Sequence, residues 1–173
     1  MITDAFLRLA GTSANPPVAG AITNLASGTT STSNFFVDLA SNVPTSGTNP
    51  NSNGLQYRDI GEGYPLHAVV TLVTAASGTS VSMTFNVIVA DDEAGTTNPV
   101  IIGTTGVILA ANLTVGKQFV IELNPQLATP GKRYLMGQYV NGAAIFVGGT
   151  HFFDIVLDYA DSKKFYASGF AVS

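Results

Sequence analysis

The chain has 173 residues, and only 10% of them are charged, whereas an ordinary soluble domain carries about 25% charged residues. The net charge of −4, with seven scattered Lys and Arg residues, argues against nucleic acid or an anionic membrane as a partner. Apolar stretches end well before the roughly 18 residues of a membrane-spanning helix, and the lack of cysteine excludes a disulfide or zinc-thiolate framework.

The N-terminal residues, MITDAF, contain an acid where a signal peptide needs Lys or Arg. No apolar segment of the kind that drives export follows them. We therefore expect the protein to be made in the cytoplasm and not to be secreted.

Apolar and polar residues alternate with a period of two along most of the chain. No segment of twelve or more residues shows the 3.6-residue period of a helix. The chain therefore consists of strands, and the shorter candidates are residues 6–10, 21–25, 35–39, 99–103, 107–110 and 118–123.

A long loop follows the first three candidate strands. Residues 41–56 are almost entirely Ser, Asn, Pro, Thr and Gly, so they cannot bury enough apolar surface to order themselves. Loops of this length inside a domain are usually functional or disordered. The next residues include Arg58, Asp59, Glu62 and Pro65, which form a charged turn whose ion pairs contribute about 0–1 kcal/mol.

Two strands with stronger patterns come next. Residues 66–74 are largely apolar or Thr on both faces, which is typical of a central strand covered on both sides. Residues 81–89 are apolar at alternate positions, with small polar residues on most of the other face. We expect these two strands to pair with each other.

The acidic run of Asp91, Asp92 and Glu93 follows residue 89. Three carboxylates could bind Ca²⁺, but the ligand spacing of an EF-hand is missing. Asp in a turn commonly hydrogen-bonds its own backbone. We therefore expect a solvated turn here rather than a metal site or an acid pair for glycoside hydrolysis.

The strongest short-range signal is Asn141-Gly142 between the apolar runs 134–140 and 143–147. It predicts a type I′ hairpin, in which both turn residues adopt positive φ. The last predicted strand, 151–159, places Asp154 and Asp158 on one face and four apolar side chains on the other: Phe153, Ile155, Leu157 and Tyr159.

Eight to ten such strands, with a turn every 8–12 residues or so, indicate a sandwich or a barrel. A jelly roll fits best, because the meander of hairpins comes late in the chain and the longer connections come early. We predict a single all-β domain over residues 1–173, a jelly-roll-like antiparallel β-sandwich with a long loop at about 41–56.

Catalytic chemistry has few candidate residues. The two histidines, His67 and His151, lie near strand starts, and no Ser stands in a nucleophile elbow. The H-x-H pair of metal-binding cupins is missing as well. We expect each histidine to be satisfied by a backbone carbonyl, and we assign no catalytic, cofactor-binding or metal-binding residue.

An ordered set of segments carries a family resemblance. It comprises the opening MITDAFL, the run RDIGEGYPL at residues 58–66, the Val/Thr-rich strand with the alternating strand that ends in Asp91-Asp92, and GKRYL at residues 131–135 before Asn141-Gly142. In this order and over most of its length, the chain resembles the tailed-phage capsid cement proteins of the type first described in a Bordetella phage.

The resemblance implies a jelly-roll protein that coats the outside of an icosahedral head and performs no catalysis. It would be made in the host bacterial cytoplasm, bind the major capsid protein and clamp neighbouring capsid subunits. The implied oligomer is a homodimer or a homotrimer, without nucleic acid, membrane or cofactor. Arg58, Asp59, Glu62 and Pro65 are the candidate capsid or subunit contacts.

The composition is compatible with such an interaction protein. With 19 Thr, 13 Ser, 12 Asn and 18 Gly, the chain covers its core with strand and turn formers rather than Lys and Glu. A weakly charged surface favours association. A receptor-binding or carbohydrate-binding jelly roll of a phage head fibre or tail is the alternative that the sequence leaves open.

Overall fold

The structure, a computed structural model, describes residues 7–12, 18–22, 25–39, 66–78, 82–123, 132–142 and 144–156. The regular structure of these residues is almost entirely β-strand, with a short 3₁₀ turn at Ala110–Asn112. The strands are β1 (Arg8–Ala10), β2 (Gly20–Ala21), β3 (Thr30–Asp38), β4 (His67–Ser77), β5 (Ser82–Ala90), β6 (Val100–Thr104), β7 (Ile108–Leu109), β8 (Gln118–Glu122), β9 (Tyr134–Asn141) and β10 (Gly148–Val156). No helix in these ranges has the length and hydropathy needed to cross a membrane.

Two antiparallel sheets pack face to face. The first sheet has the order β1-β10-β4-β8, with β2 also pairing with β10, and the second has the order β3-β9-β5-β6, with β7 also pairing with β5. The pairs β1/β10, β3/β9, β4/β8 and β5/β6 are nested, each lying inside the previous one along the chain. Nested antiparallel pairs shared between two sheets are a jelly roll, so the predicted fold class is confirmed.

The predicted pairing of 66–74 with 81–89 is wrong. The matching strands, β4 and β5, belong to different sheets, and β4 pairs with β10 and β8. Alternation shows which face of a strand is buried, but two strands with buried faces can either pair or face each other across a core. The central position of β4 is confirmed, whereas its outer face is covered over its first half only: Val69 is 1% exposed and Val73 41%.

The predicted hairpin at Asn141-Gly142 is also wrong. Asn141 is the last residue of β9, and the chain then crosses to β10 in the other sheet. The Asn141 amide instead donates to three backbone carbonyls, those of Leu25, Ala26 and Ala144. Gly142 packs against Ser82, whose side chain would collide with a Cβ at this position, so close packing rather than positive φ requires this glycine.

The core lies between the sheets and is centred on aromatic side chains. The ring of Phe85 meets those of Tyr139 and Phe153 edge to face, at centroid distances of 5.9 and 6.4 Å. A second, smaller cluster on the outer face of the second sheet contains Ile88, Ala90, Tyr134 and Met136 with Phe36. The outer face of β5, predicted to be mostly small and polar, is therefore partly apolar and buried.

The short connections and the strand pairing show which strand ends lie at the same end of the sandwich. The connection from β4 to β5 is only four residues long, so Ser77 and Ser82 lie at the same end of the sandwich. The antiparallel partners Ala90 and Tyr134 in one sheet, and His67 in the other, therefore lie at the opposite end. This opposite end carries most of the charged residues described below.

Candidate contact surfaces

The four predicted contact residues, Arg58, Asp59, Glu62 and Pro65, lie outside the described residues, as do the loop at 41–56 and residues 157–173. Their proposed roles stay predictions. Leu66, which follows them, is buried, and its carbonyl accepts a hydrogen bond from the backbone N–H of Leu123 at 2.9 Å.

A bidentate ion pair ties the end of β3 to the start of β9. The Arg133 guanidinium donates through Nε to Asp38 Oδ1 at 3.0 Å and through a terminal nitrogen to Oδ2 at 2.8 Å. Its central carbon also lies 5.0 Å from the centre of the Tyr134 ring. Asp38 is buried, and its hydrogen bonds raise the pKa of Arg133. The pair therefore joins the ends of two neighbouring strands.

The acidic run after β5 forms a compact turn. Asp92 accepts hydrogen bonds from the backbone N–H groups of Thr96 and Thr97, at 2.9 and 2.7 Å, and from the Thr96 hydroxyl at 2.8 Å. These bonds lower the pKa of the Asp92 carboxyl, the bond from Thr97 most strongly. The predicted turn is thus confirmed, with Asp92 bonding its own loop.

Asp91 anchors the same turn to the neighbouring strand. Its Oδ2 accepts hydrogen bonds from Lys132 Nζ at 2.7 Å and from the Asn98 amide at 3.0 Å. The Lys132 bond is the main reason that the pKa of Asp91 is lowered. We call the residues Asp38, Asp91, Asp92, Lys132 and Arg133 the charged end. Its charges are mostly paired or hydrogen-bonded within the chain, so it is a polar surface whose charged groups already have partners.

A third ion pair lies on the outer face of the first sheet. Arg8 Nε donates to Asp154 Oδ1 at 2.7 Å, and the guanidinium stacks over the Phe152 ring at 4.5 Å from its centre. Burial raises the pKa of Asp154, and the hydrogen bond from Arg8 offsets only part of this rise. The prediction that Asp154 lies on the opposite face from Phe153 is confirmed.

His151 lies on the inward face of β10 and is buried. Its Nε2 shares a hydrogen bond of 2.8 Å with the hydroxyl of Tyr139, and not with a backbone carbonyl as predicted from the sequence. Burial lowers the pKa of His151 to about 4 and raises that of Tyr139. The imidazole is therefore neutral at neutral pH. Both side chains line a cavity of about 150 Å³ with the backbone and side chains around Ser31 and Asn34.

The apolar edge is a different kind of surface. It consists of four exposed aliphatic side chains on and beside β6 and β7: Val100, Ile101, Val107 and Leu109. Two further exposed residues, Val115 and Val120, lie before and on β8. Between residues 99 and 122 the sequence has two charged residues, Lys117 and Glu122, both exposed. Exposed aliphatic side chains with few charges among them are typical of a contact site.

Neither the ion pairs nor the apolar edge could be located from the sequence. Arg133 and Asp38 are 95 positions apart, and Arg8 and Asp154 are 146 apart, so no local pattern links them. The one available signal was a lone charge inside an apolar strand, because such a charge needs a partner when it is buried. Within the described ranges, no group of three or more His, Asp or Glu side chains has the arrangement of a metal site.

Comparisons with known proteins place the chain in a family. No curated protein matches it. A family model described as Bbp16, a Bordetella phage protein family, matches residues 19–152, which run from just before β2 into β10. A phage protein with this fold is consistent with a structural role in the virion. Because the match covers well over half of its residues, the chain belongs to the Bbp16 family.

Proposed function

We propose that the chain is a head cement protein, which binds the outside of an icosahedral phage capsid and stabilises contacts between major capsid subunits. Family membership supports a phage structural role, and the apolar edge is the observation that carries the finer proposal. An exposed aliphatic surface gains about 25 cal/mol for each Å² of apolar area that a partner covers. Many copies on one head add such contacts into a large total.

The low charge of the apolar edge suits this role. A partner that covers Val107 and Leu109 does not have to desolvate ions, which is a large cost when charged groups are buried at an interface. The jelly roll then acts as a rigid body that presents the edge to the major capsid protein. In this proposal the chain has no catalytic role and binds neither nucleic acid nor membrane.

The polar side chains form hydrogen bonds with each other and with their own loops, which supports a role without catalysis. His151 shares its Nε2 with Tyr139, and the carboxylates of Asp91 and Asp92 accept hydrogen bonds from their own loop and from Lys132. These groups hold strands and turns together.

A substitution at the apolar edge tests the capsid contact. Leu109, which is 62% exposed, is replaced by Lys, and binding is measured by co-sedimentation with empty expanded heads. We expect Leu109→Lys to raise the apparent Kd at least about tenfold, because a charge must then be desolvated in an apolar contact. The matched control is Val18→Lys, since Val18 is 59% exposed but lies beside β1, across the sandwich. Equal losses in both variants would contradict the proposed contact surface.

The long loop offers a second test. In this proposal, residues 41–56 and 165–173 contact the capsid, and Arg58, Asp59 and Glu62 either brace the loop or pair with capsid side chains. Deletion of residues 43–54 is expected to lower retention on heads and to leave the melting temperature unchanged. The deletion leaves sixteen residues between β3 and β4, whose joined ends, Asp38 and His67, lie at the same end of the sandwich. Full retention after the deletion argues against a role for the loop.

The alternative function has its own signature. A receptor-binding or carbohydrate-binding module binds glycans or cells as the isolated protein and does not protect heads. A cement protein instead binds heads and makes them more resistant to heat or low salt. Glycan binding together with no association with heads would favour the alternative.

A further inference from the structure

Asn141 and Gly142 form one of the two Asn-Gly pairs in the chain, and such a pair can modify itself. The backbone nitrogen of the glycine attacks the side-chain amide carbon of the asparagine, because glycine has no side chain that hinders the approach. A succinimide ring closes, the bond from the amide carbon to Nδ2 breaks, and Nδ2 leaves as ammonia with the proton of the glycine N–H. Water then opens the ring to aspartate or isoaspartate. The pair is therefore a candidate site of deamidation without an enzyme.

The fold holds both reacting groups of this pair in place. The Gly142 N–H donates to the carbonyl of Ser82 at 3.0 Å, and the Asn141 amide donates to three backbone carbonyls. The Asn141 N–H donates to the carbonyl of Thr29 at 3.0 Å, and the carbonyls of Asn141 and Gly142 both accept from the Gly28 N–H at 3.1 Å. Closure of the succinimide ring requires the glycine nitrogen to lose its bond to Ser82 and the asparagine side chain to leave its three carbonyls.

The two residues of the pair differ in exposure. Asn141 is 0% exposed, whereas Gly142 is exposed to solvent. Water therefore reaches the glycine, and the protection of the pair depends on the fixed position of the buried Asn141 side chain. A reaction that needs such a side chain to leave the core proceeds at a rate set by the population of the open form. Deamidation of Asn141 is thus expected to be slow as long as the end of β9 stays closed.

The product of the reaction does not fit the site. Asn141 Oδ1 is buried and accepts no hydrogen bond from any described residue, and Nδ2 faces three carbonyls. A carboxylate in place of the amide would find no donor at either oxygen, and a buried charge without a partner is strongly unfavourable. Isoaspartate would in addition lengthen the backbone by one atom at the end of β9, where Asn141 pairs with Met83 of β5.

We propose that Asn141-Gly142 is a conformation-gated deamidation site, which the fold protects and which converts to an acid only in a chain that has opened at the end of β9. A chain that reacts while it is open cannot restore the contacts of Asn141, so its opening becomes irreversible. The lifetime of the fold then depends on how seldom this site opens, and not only on the free energy of unfolding. This inference concerns the free chain and does not depend on whether the chain binds heads.

Peptide mapping of the isolated full chain by mass spectrometry tests the gating. The chain is incubated at mildly alkaline pH, which favours attack by the glycine nitrogen, once folded and once in urea. We expect Asn141 to convert at least about a hundredfold more slowly in the folded chain than in urea. The reference is Asn53-Gly54, the other Asn-Gly pair of the same molecule. In urea both pairs should convert at similar rates, because only the dipeptide then determines the rate.

Refolding from urea tests whether the product blocks the fold. After partial conversion and removal of urea, size-exclusion chromatography separates refolded from unfolded chains, and both fractions are mapped. We expect aspartate and isoaspartate at position 141 only in the unfolded fraction. Asn141→Asp, which carries the product from the start, should refold with a much lower yield than the unmodified chain. The matched control is Asn53→Asp, the same change in the other Asn-Gly pair, which should refold like the unmodified chain.

Each step of the proposal has a result that overturns it. Conversion of Asn141 at comparable rates in the folded chain and in urea would show that the fold does not protect the pair. Much slower conversion of Asn141 than of Asn53 in urea would show that the local sequence, and not the fold, protects it. Converted chains that refold completely, or an Asn141→Asp variant that refolds as well as Asn53→Asp, would show that the modification does not make opening irreversible.

Discussion

Replacement of Asn141 by Ala is expected to destabilise the fold by about 3 kcal/mol, because the two N–H groups of its amide, which are shared among three buried or partly buried carbonyl groups, are lost at once. The Asn141 side chain is fully buried and donates to Leu25 O at 2.8 Å, to Ala26 O at 3.0 Å and to Ala144 O. These bonds join the end of β9 to the segment before β3 and to the crossing to β10. The free energy of unfolding from urea denaturation measures the effect.

Two further variants make this test specific. Asn141→Asp preserves the shape but replaces the amide donor by an acceptor facing three carbonyls, so its loss should be at least as large as that of Asn141→Ala. The control is Asn112→Ala, at an exposed position of the 3₁₀ turn, where the change should stay within about 0.5 kcal/mol. An Asn141→Ala variant as stable as the Asn112→Ala control would contradict the structural role of this amide.

The stability of the fold is expected to fall by about 3 kcal/mol as the pH decreases from about 6.5 to about 4, because of His151. Burial lowers the pKa of His151 in the folded chain to about 4, whereas an unfolded chain titrates it near the ordinary value of 6.5. Between these values the unfolded state binds the proton and the folded state does not. Stability is therefore fully present above about pH 6.5, is lost progressively as the pH falls and levels off below about pH 4.

Urea denaturation at several pH values measures this dependence. His151→Phe removes the titrating group, so its stability should be nearly independent of pH over the same interval, although lower overall because Tyr139 loses its partner. Asp154 acts in the opposite sense, since its raised pKa lets the folded state take up a proton first as the pH falls. Asp91 and Asp92 have lowered pKa values, so their contribution to the stability of the fold is lost at lower pH, as the pH falls through 3.8 and below. If the free energy of unfolding of the His151→Phe variant still fell with pH as steeply as that of the unmodified chain, a group other than His151 would control the pH dependence.

The strands could be predicted from local patterns because burial on one face imposes a period of two. The predicted segments 99–103, 107–110 and 118–123 correspond to β6, β7 and β8 within one or two residues at each end. β3 is longer than predicted, since its first half, TSTSN, is polar on both faces and carries no apolar alternation. Its ladder with β9, which includes Thr30 opposite Val140, extends the strand through backbone bonds that do not depend on side-chain type.

The proposed contact surface could be located less completely from the sequence. The low charge of the chain led us to expect a surface covered by neighbours, whereas the position of the apolar edge, which we propose for that role, depends on the pairing of β6 and β7 with β5. The charged turn at Arg58 was selected from the sequence because charges are rare there, and it lies outside the described residues. The charges that the structure does describe, such as Arg133 and Asp38, mostly hold strands together.

The sequence by itself determined where most of the strands lie and indicated an all-β sandwich of the jelly-roll type, because alternation and the order of short and long connections can both be read along the chain. Only the tertiary structure decided which strands pair. Asn141-Gly142 has the local signature of a hairpin, yet Asn141 is held by carbonyls more than a hundred residues earlier in the chain. β4 and β5 follow each other closely and still face each other across the core. A strand with one apolar face gains the same burial beside a neighbour or opposite it, so long-range packing makes the choice.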